Sequence, residues 1–200
     1  MTRYLVRTLA AVSALVSVVG AELLPVKYSF NAHGDIPPFS VRLGKDTASV
    51  CNSPTPGTAG FIDSDDGNDT RMFFWLFESK NDPTTDPVVL WMSGGPGASS
   101  TGAGNLMELG PCRISQDGSH TVDNPYGWNT NATVLFVDQP AKVGFSQART
   151  IPSGLPEATK LMHRFLRQFF IAFPQLSDLD FFIAGESMRH LALAWQSSLA

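Results

Sequence analysis

Two short segments carry residue types that could perform acyl-transfer chemistry, and each follows an apolar run. Gly185-Glu186-Ser187 comes directly after the apolar residues 181–184. A serine on a sharp turn between a strand and a helix, with small residues two places before and after it, is typical of a nucleophile elbow. Gly185 meets the first condition, whereas Arg189 does not meet the second. A serine that only ends a strand or caps a helix is the alternative interpretation.

The second segment is a glycine-rich turn, Gly94-Gly95-Pro96-Gly97, which follows the continuous apolar run Val88–Met92. Glycine has no Cβ, so backbone N–H groups in such a turn lie open and can donate hydrogen bonds to an oxyanion. An ordinary tight connection between a strand and a helix is the alternative.

The elements that must position these two turns alternate between strands and helices. Apolar and aromatic runs predict strands at residues 61–63, 71–78, 88–92, 133–137 and 181–184. Strands 71–78 and 88–92 are expected to form an antiparallel pair at one edge of the sheet. Helical periodicity predicts a helix over 155–173, ended by Pro174, and a shorter glycine-interrupted helix over 99–109. Residues 22–60 and 112–132 are predicted to be rich in loops, with one or two strands in the first range.

This alternation predicts an α/β fold with a sheet that is parallel in its middle. Ligand chemistry in such sheets lies at the carboxyl ends of strands, which is where both turns fall. The sequence therefore predicts that the glycine turn and Ser187 lie at the same end of the sheet.

Residues 1–21 have the features of a secretory signal peptide. Arg3 and Arg7 precede a mostly apolar stretch of small residues, and Val19-Gly20-Ala21 supplies short residues before a cleavage point after Ala21. The apolar stretch is short for a membrane span, which is the alternative. We expect a mature chain that begins at residue 22, is secreted or vacuolar, and has no stable membrane association.

Composition and cysteine usage agree with a secreted globular domain. The chain has 200 residues, is 43% hydrophobic and carries a formal net charge of -4, which gives no support for nucleic-acid binding. Asn68 and Asn131 begin Asn-X-Thr sequons and are predicted glycosylation sites. Cys51 and Cys112 would lie in an oxidising compartment. They pair either with each other or with cysteines elsewhere, and sequence alone leaves both alternatives open.

Five ordered segments between residues 51 and 187 resemble those of serine carboxypeptidases, most of all the fungal secreted or vacuolar members. Residues 88–100 resemble their Trp-Leu-Asn-Gly-Gly-Pro-Gly-Cys-Ser-Ser segment, and residues 107–111 contain their Glu-Leu-Gly-Pro. Residues 124–129 resemble the Asn-Pro-Tyr-Ser-Trp-Asn of the family, and residues 134–146 resemble its Asp-Gln-Pro followed by Val-Gly-Phe-Ser. Residues 182–187 resemble the segment that leads to the nucleophile.

The resemblance implies an α/β-hydrolase fold and an enzyme that releases C-terminal residues from peptides or proteins at acid pH, with no metal or cofactor. It assigns Ser187 as the nucleophile and the backbone N–H groups of Gly95 and Met188 as the oxyanion hole. A non-catalytic secreted protein is an alternative, and an esterase or acyltransferase on the same fold is another.

The resemblance also implies a pocket for the terminal carboxylate of the substrate, formed by Ser93, Gly94, Glu108 and Glu186. Carboxyl groups can hold a carboxylate only if one of them carries a proton, and crowded like charges raise one apparent pKa, so such binding favours acid. Ser93 stands where many members have Asn, and its shorter side chain with one donor implies altered affinity or specificity. A solvated surface position is the alternative for Glu108.

The resemblance stops at Ser187, where Met188-Arg189-His190-Leu191 replaces the Tyr-Ala-Gly-His-Tyr of the family. In this fold the triad acid and histidine follow the nucleophile, so both are expected beyond residue 200. The expected fold is therefore incomplete, the N-terminal half of the sheet up to the nucleophile elbow, and residues 22–200 form a partial serine carboxypeptidase domain. The expected function is that of a serine carboxypeptidase in a truncated chain that lacks the triad Asp and His.

Overall fold

A computed structural model describes residues 24–25, 36–44, 50–51, 57–95 and 97–187. The strands are β1 (Leu24–Pro25), β2 (Phe39–Leu43), β3 (Gly57–Ser64), β4 (Thr70–Phe77), β5 (Val88–Met92), β6 (Cys112–Ile114), β7 (Thr121–Asp123), β8 (Thr133–Val137) and β9 (Phe181–Gly185). The helices are a π-helix (Ser100–Leu109), α1 (Leu155–Ala172) and two short 3-10 turns, Trp128–Thr130 and Pro174–Leu176.

Seven of these strands form one sheet in the order β1-β9-β5-β8-β4-β3-β2, and β6 pairs with β7 in a separate hairpin. The central strands β9, β5 and β8 run parallel, whereas β4 pairs antiparallel with β8. The predicted antiparallel pairing of residues 71–78 with 88–92 is wrong: β4 pairs antiparallel with β3 and β8, and β5 lies between β8 and β9 in the middle of the sheet. The prediction of a sheet that is parallel in its middle is confirmed.

Strands β5 and β8 are buried along their whole length because both faces of the sheet are covered. On one face, α1 packs aromatic side chains onto the sheet, including Phe169 against Phe74 at 5.5 Å between ring centroids. On the other face, Trp91 of β5 meets Trp128 edge to face at 5.4 Å, beneath the π-helix and the β6–β7 hairpin. Helices on both faces complete the α/β architecture.

The segment predicted as loop-rich at residues 112–132 contains the β6–β7 hairpin, which sequence reasoning missed. Cys51 and Cys112 form a disulfide with Cα atoms 5.4 Å apart, so the first of the two cysteine alternatives is confirmed. This bond ties the chain before β3 to the start of β6. The predicted signal peptide lies outside the described residues, and within them no helix is long and apolar enough to cross a membrane.

Candidate active site

The glycine turn and the segment Glu186-Ser187 lie side by side because they follow adjacent parallel strands. Met92 of β5 stands opposite Gly185 of β9, and the backbone N–H of Glu186 donates to the carbonyl of Met92 at 3.2 Å. An alanine Cβ at position 185 would lie 2.9 Å from that carbonyl oxygen, so the close approach requires glycine. The predicted common location of the two turns is confirmed.

Ser187 has the backbone geometry of a nucleophile elbow. Its φ angle is 59°, in the left-handed region that non-glycine residues rarely adopt, and the residue is exposed. Strain of this kind persists only where the surrounding structure imposes it, and it is frequent at catalytic turns. The turn therefore presents the Ser187 hydroxyl to solvent beyond the carboxyl end of β9.

Two hydrogen bonds hold the ends of the glycine turn together. The N–H of Ser93 donates to Ser100 Oγ at 3.0 Å, and the N–H of Ala98 donates to the carbonyl of Gly94 at 3.1 Å. Gly95 has a φ of 117°, and a Cβ there would lie 2.8 Å from the nitrogen of Gly97. Only glycine fits this position, and the residue is exposed.

Ser93 is buried beneath this turn and contacts an indole. Trp91 Nε1 donates to Ser93 Oγ at 3.3 Å, and the Ser93 residue is 4% exposed. A hydroxyl that accepts one hydrogen bond still has its own proton to donate. The Ser93 hydroxyl can therefore donate one hydrogen bond at the adjacent turn, whereas the longer Asn side chain of the related sequences could donate two.

Glu108 lies in the last turn of the π-helix and shares its electrostatic environment with Glu186. Burial of the Glu108 side chain, followed by the negative charge of Glu186, raises the pKa of Glu108 above its ordinary value. The Glu108 backbone carbonyl accepts from Arg113 Nη2 at 3.1 Å and from Asn124 Nδ2 at 3.2 Å, which anchors the end of the helix. A carboxyl that keeps its proton in mild acid can donate to another carboxylate.

Sequence reasoning missed one carboxylate at this end of the sheet. Asp138 follows β8 directly and is fully buried, and it accepts hydrogen bonds from Ser99 and Thr101 beside the glycine turn. The signal was present, because Asp138 occupies the same place after its strand as Ser93 after β5 and Glu186 after β9.

The remaining predicted site residues are separate from this cluster or outside the described structure. Met188 falls outside the described residues, so the second predicted oxyanion donor has no position here. Asn131 is exposed, whereas Asn68 is half-buried and its side-chain oxygen accepts from the Thr150 N–H at 3.0 Å. Among the described residues no group of three or more His, Cys, Asp or Glu side chains could hold a metal ion.

A cavity of about 780 Å³ lies between the tip of the β3–β4 hairpin and the start of α1. Its wall includes Asp66, Asn68, Lys160 and Arg164, and none of Ser93, Gly95, Glu108 or Ser187 lines it. The predicted site residues therefore lie outside this cavity.

Comparisons with known proteins identify the class to which this fold and site belong. The serine carboxypeptidase family profile matches residues 50–188, so the chain belongs to the serine carboxypeptidase family. The solved structure of Kex1(delta)p, a prohormone-processing carboxypeptidase from Saccharomyces cerevisiae, superposes with a TM-score of 0.64 at 29% identity, over 78% of this chain and 35% of that one. The predicted α/β-hydrolase fold is confirmed, and the described sheet is its N-terminal part, up to the nucleophile elbow.

Several fungal relatives are more similar in sequence. Carboxypeptidase Y homolog A of Emericella nidulans is 44% identical over 156 residues, which is 77% of this chain and 28% of that protein. The protein of the same name from Coccidioides posadasii is 50% identical over 129 residues, 64% of this chain and 23% of that protein. The chain thus spans about a quarter of the length of the curated relatives it matches.

Proposed function

We propose that this protein is a serine-type carboxypeptidase that releases C-terminal residues from peptides and proteins at acid pH. The observation that carries the proposal is the position of Ser187. It has a left-handed φ at the end of β9, which pairs in parallel with β5, the strand that leads into the turn containing the exposed Gly95. A strained serine beside an open glycine turn is the arrangement that acyl transfer to a hydroxyl requires.

In this mechanism Ser187 Oγ attacks the carbonyl carbon of the last peptide bond. The negative charge that develops on the carbonyl oxygen is stabilised by the backbone N–H groups of Gly95 and Met188. The serine proton passes to a general base, because a neutral hydroxyl is a poor nucleophile. The peptide C–N bond then breaks as the base gives that proton to the leaving amino group of the C-terminal residue, and water hydrolyses the ester left on Ser187. In the α/β-hydrolase order the histidine and acid follow the serine in the chain, so the activity is proposed for the whole protein that carries them.

Recognition of a free C-terminus follows from the carboxyl groups near the elbow. The terminal carboxylate of the substrate would accept hydrogen bonds from the Gly94 N–H, the Ser93 hydroxyl and a protonated Glu108. The raised pKa of Glu108 extends its protonated form to higher pH, which supports this role. Because ionisation of Glu108 would place like charges together, substrate binding should weaken toward neutral pH.

The secretory route is part of the proposal. The disulfide between Cys51 and Cys112 favours an oxidising compartment, in agreement with the signal-peptide pattern of residues 1–21. Both sequons belong to the described fold, and the exposed side chain of Asn131 leaves space for a glycan. We therefore propose a secreted or vacuolar glycoprotein that carries sugar at Asn131 and Asn68.

The decisive experiment measures release of the last residue from an N-blocked dipeptide at about pH 5. The same protein is treated with a fluorophosphonate, which labels activated serines. Ser187→Ala should abolish both signals, whereas Ser177→Ala, at the opposite end of β9, should leave both intact. Labelling that survives Ser187→Ala would contradict the assignment of the nucleophile.

Substrate pairs separate the carboxypeptidase from an esterase or acyltransferase on the same fold. We expect the blocked dipeptide with a free carboxylate to be cleaved far faster than its C-terminal amide. Equal rates on the two, or cleavage of simple esters alone, would favour the esterase alternative. Tested by itself, the 200-residue chain would support the non-catalytic alternative if it stays folded and neither cleaves the peptide nor takes the label.

A further inference from the structure

Asp138 is a fully buried carboxylate that receives hydrogen bonds from four neutral groups. Its Oδ1 accepts from Ser99 Oγ at 2.8 Å and from the Thr101 N–H at 3.1 Å. Its Oδ2 accepts from Thr101 Oγ1 at 2.8 Å and from the Phe145 N–H at 3.0 Å. Buried charge is costly unless it is well hydrogen-bonded, so this arrangement is held tightly in one geometry.

Three of the four groups that donate to Asp138 belong to Ser99 and Thr101, in the segment that follows the glycine turn. Ser99 is the N-cap of the π-helix, and its Oγ also accepts from the Gly102 N–H at 2.9 Å. Between Ser99 and Thr101 lies Ser100, whose Oγ accepts from the N–H of Ser93 at the start of the turn. The carboxylate of Asp138 therefore fixes the segment that closes the turn around Gly95.

The backbone of Asp138 is itself anchored to the sheet. Its N–H donates to the carbonyl of Phe73 at 3.1 Å, and its carbonyl accepts from Ser146 Oγ at 2.6 Å. The same Ser146 Oγ accepts from the Phe73 N–H at 2.8 Å, so β4, β8 and the loop after β8 are connected at one point. A rigid attachment is what lets one side chain set the position of another segment.

The loop after β8 leaves space for this carboxylate. Gly144 has a φ of 53°, and a Cβ there would overlap Asp138 Oδ2 and lie 2.9 Å from Ser99 Oγ. Any larger residue at position 144 would displace both partners. The glycine, the carboxylate and the N-cap serine thus form one packed unit.

We propose that Asp138 is a positioning residue for the oxyanion hole: it holds the glycine turn so that the Gly95 N–H points at the developing oxyanion. The inference rests on the proposed function. A misplacement of about 1 Å in such a site costs on the order of 100-fold in rate. Because the turn is used in the transition state, loss of the Asp138 contacts should lower kcat and leave KM nearly unchanged.

The variants separate positioning from simple stability. Asp138→Asn keeps the shape of the side chain and replaces one acceptor by a donor, facing Thr101 or Phe145. Thr101→Val removes a single donor to Asp138 with little change of volume, and Thr101→Ser restores that donor. The matched control is Asp86→Asn, since Asp86 Oδ2 also accepts several hydrogen bonds, including one from Ser79 Oγ at 2.6 Å, at the opposite end of β5.

Two measurements on the whole protein, including the part that carries the triad histidine and acid, decide the proposal. We expect Asp138→Asn and Thr101→Val to speed amide hydrogen exchange at residues 95–101 at least tenfold relative to β5, and to lower kcat about 10- to 100-fold. Thr101→Ser should behave as the wild type, and Asp86→Asn should change neither quantity selectively.

The proposal would be overturned if Thr101→Val and Asp138→Asn fold and their amide exchange at residues 95–101 equals that of the wild type. It would also be overturned if Asp86→Asn lost as much kcat as these two variants. If Asp138→Asn does not fold, the Thr101 pair decides. If the wild-type protein shows no peptidase activity, the proposed function fails, and the exchange measurement still decides whether Asp138 holds the turn.

Discussion

Glu108 and Glu186 interact although they lie on different elements: burial of the Glu108 side chain, followed by the negative charge of Glu186, raises the pKa of Glu108. Glu108 ends the π-helix and Glu186 follows β9 in the elbow. Their interaction means that the C-terminal end of the π-helix lies near the turn that carries Ser187. It also makes Glu108 a group whose protonation is coupled to folding.

The sign of this coupling gives the first prediction. Because the folded-state pKa of Glu108 lies above the ordinary value of 4.5, the folded chain binds more protons than the unfolded chain between the two values. The free energy of unfolding therefore falls as pH rises through that window. Glu108→Gln removes this loss, so the variant should gain stability relative to the wild type as pH rises above the ordinary pKa of 4.5. Urea unfolding at a series of pH values measures the difference.

Glu157→Gln is the control with the opposite sign. Hydrogen bonds from the Ser153 N–H and then from its hydroxyl lower the pKa of Glu157. This carboxylate contributes stability above its unfolded pKa, and the contribution is lost as pH falls through the folded value. The variant should therefore lose stability relative to the wild type at neutral pH. Parallel pH profiles for Glu108→Gln and the wild type would refute the coupling.

The second prediction concerns the strained backbone at Ser187. A left-handed residue other than glycine costs about 1–2 kcal/mol, and glycine removes that cost at the expense of chain entropy. Ser187→Gly should therefore be about 1 kcal/mol more stable than Ser187→Ala in urea unfolding, and both should lose fluorophosphonate labelling.

Lys142 supplies the matched comparison, since its φ of 77° lies in the same region but away from the elbow. Lys142→Gly should likewise exceed Lys142→Ala in stability, and both variants should keep the labelling of Ser187. If Ser187→Ala were as stable as Ser187→Gly, residue 187 would not be held in the left-handed conformation in solution.

The sequence was sufficient to predict the parts of the fold that rest on long apolar runs. The strands at 88–92 and 133–137 have the predicted bounds, and the glycine turn meets Ser187 because both follow parallel strands. The β6–β7 hairpin was missed because each of its strands has three residues and too little periodicity to distinguish it from a loop. The role of Asp138 was missed because its partners lie about forty residues away along the chain.

The pairing of the cysteines required the structure, because spacing alone does not bring two Cα atoms within bonding distance. The π-helix was predicted only as a helix, since the sequence pattern does not distinguish the i to i+5 repeat from the α repeat. The sequence predicted Glu108 as a site residue from a family motif. Its charge interaction with Glu186 could not be predicted, because it depends on how the end of β9 approaches the π-helix in the folded chain.

The third prediction concerns the disulfide between Cys51 and Cys112. It closes a loop with a sequence separation of 61, and closure of a loop of that size is worth about 4 kcal/mol in the chain-entropy account. Replacing both cysteines by serine should lower the free energy of unfolding by about that amount. Urea unfolding with and without reductant measures it.

Reductant provides the internal control for the disulfide. It should destabilise the wild type as much as the double replacement does, and it should leave the double variant unchanged. A wild type whose unfolding midpoint is insensitive to reductant, after full reduction is verified by thiol titration, would contradict a stabilising role.

The fourth prediction tests how closely the π-helix must approach β5. An alanine Cβ at Gly104 would overlap the Trp91 indole, including Nε1, and would lie 3.0 Å from Ser93 Oγ. Gly104→Ala must therefore push the helix away from the sheet, against any gain in helix propensity, at a cost of about 1–3 kcal/mol in urea unfolding. Glu108 lies on the same helix, so the shift would also move the residue that is proposed to bind the substrate carboxylate, and KM for a free C-terminus should rise. Gly154→Ala is the control, because a Cβ there would meet its nearest neighbour, Pro156 Cδ, at 3.8 Å, and should change stability by less than about 0.5 kcal/mol. If Gly104→Ala were as stable as the wild type, the contact between Gly104 and Trp91 would not be what sets the distance between the π-helix and β5.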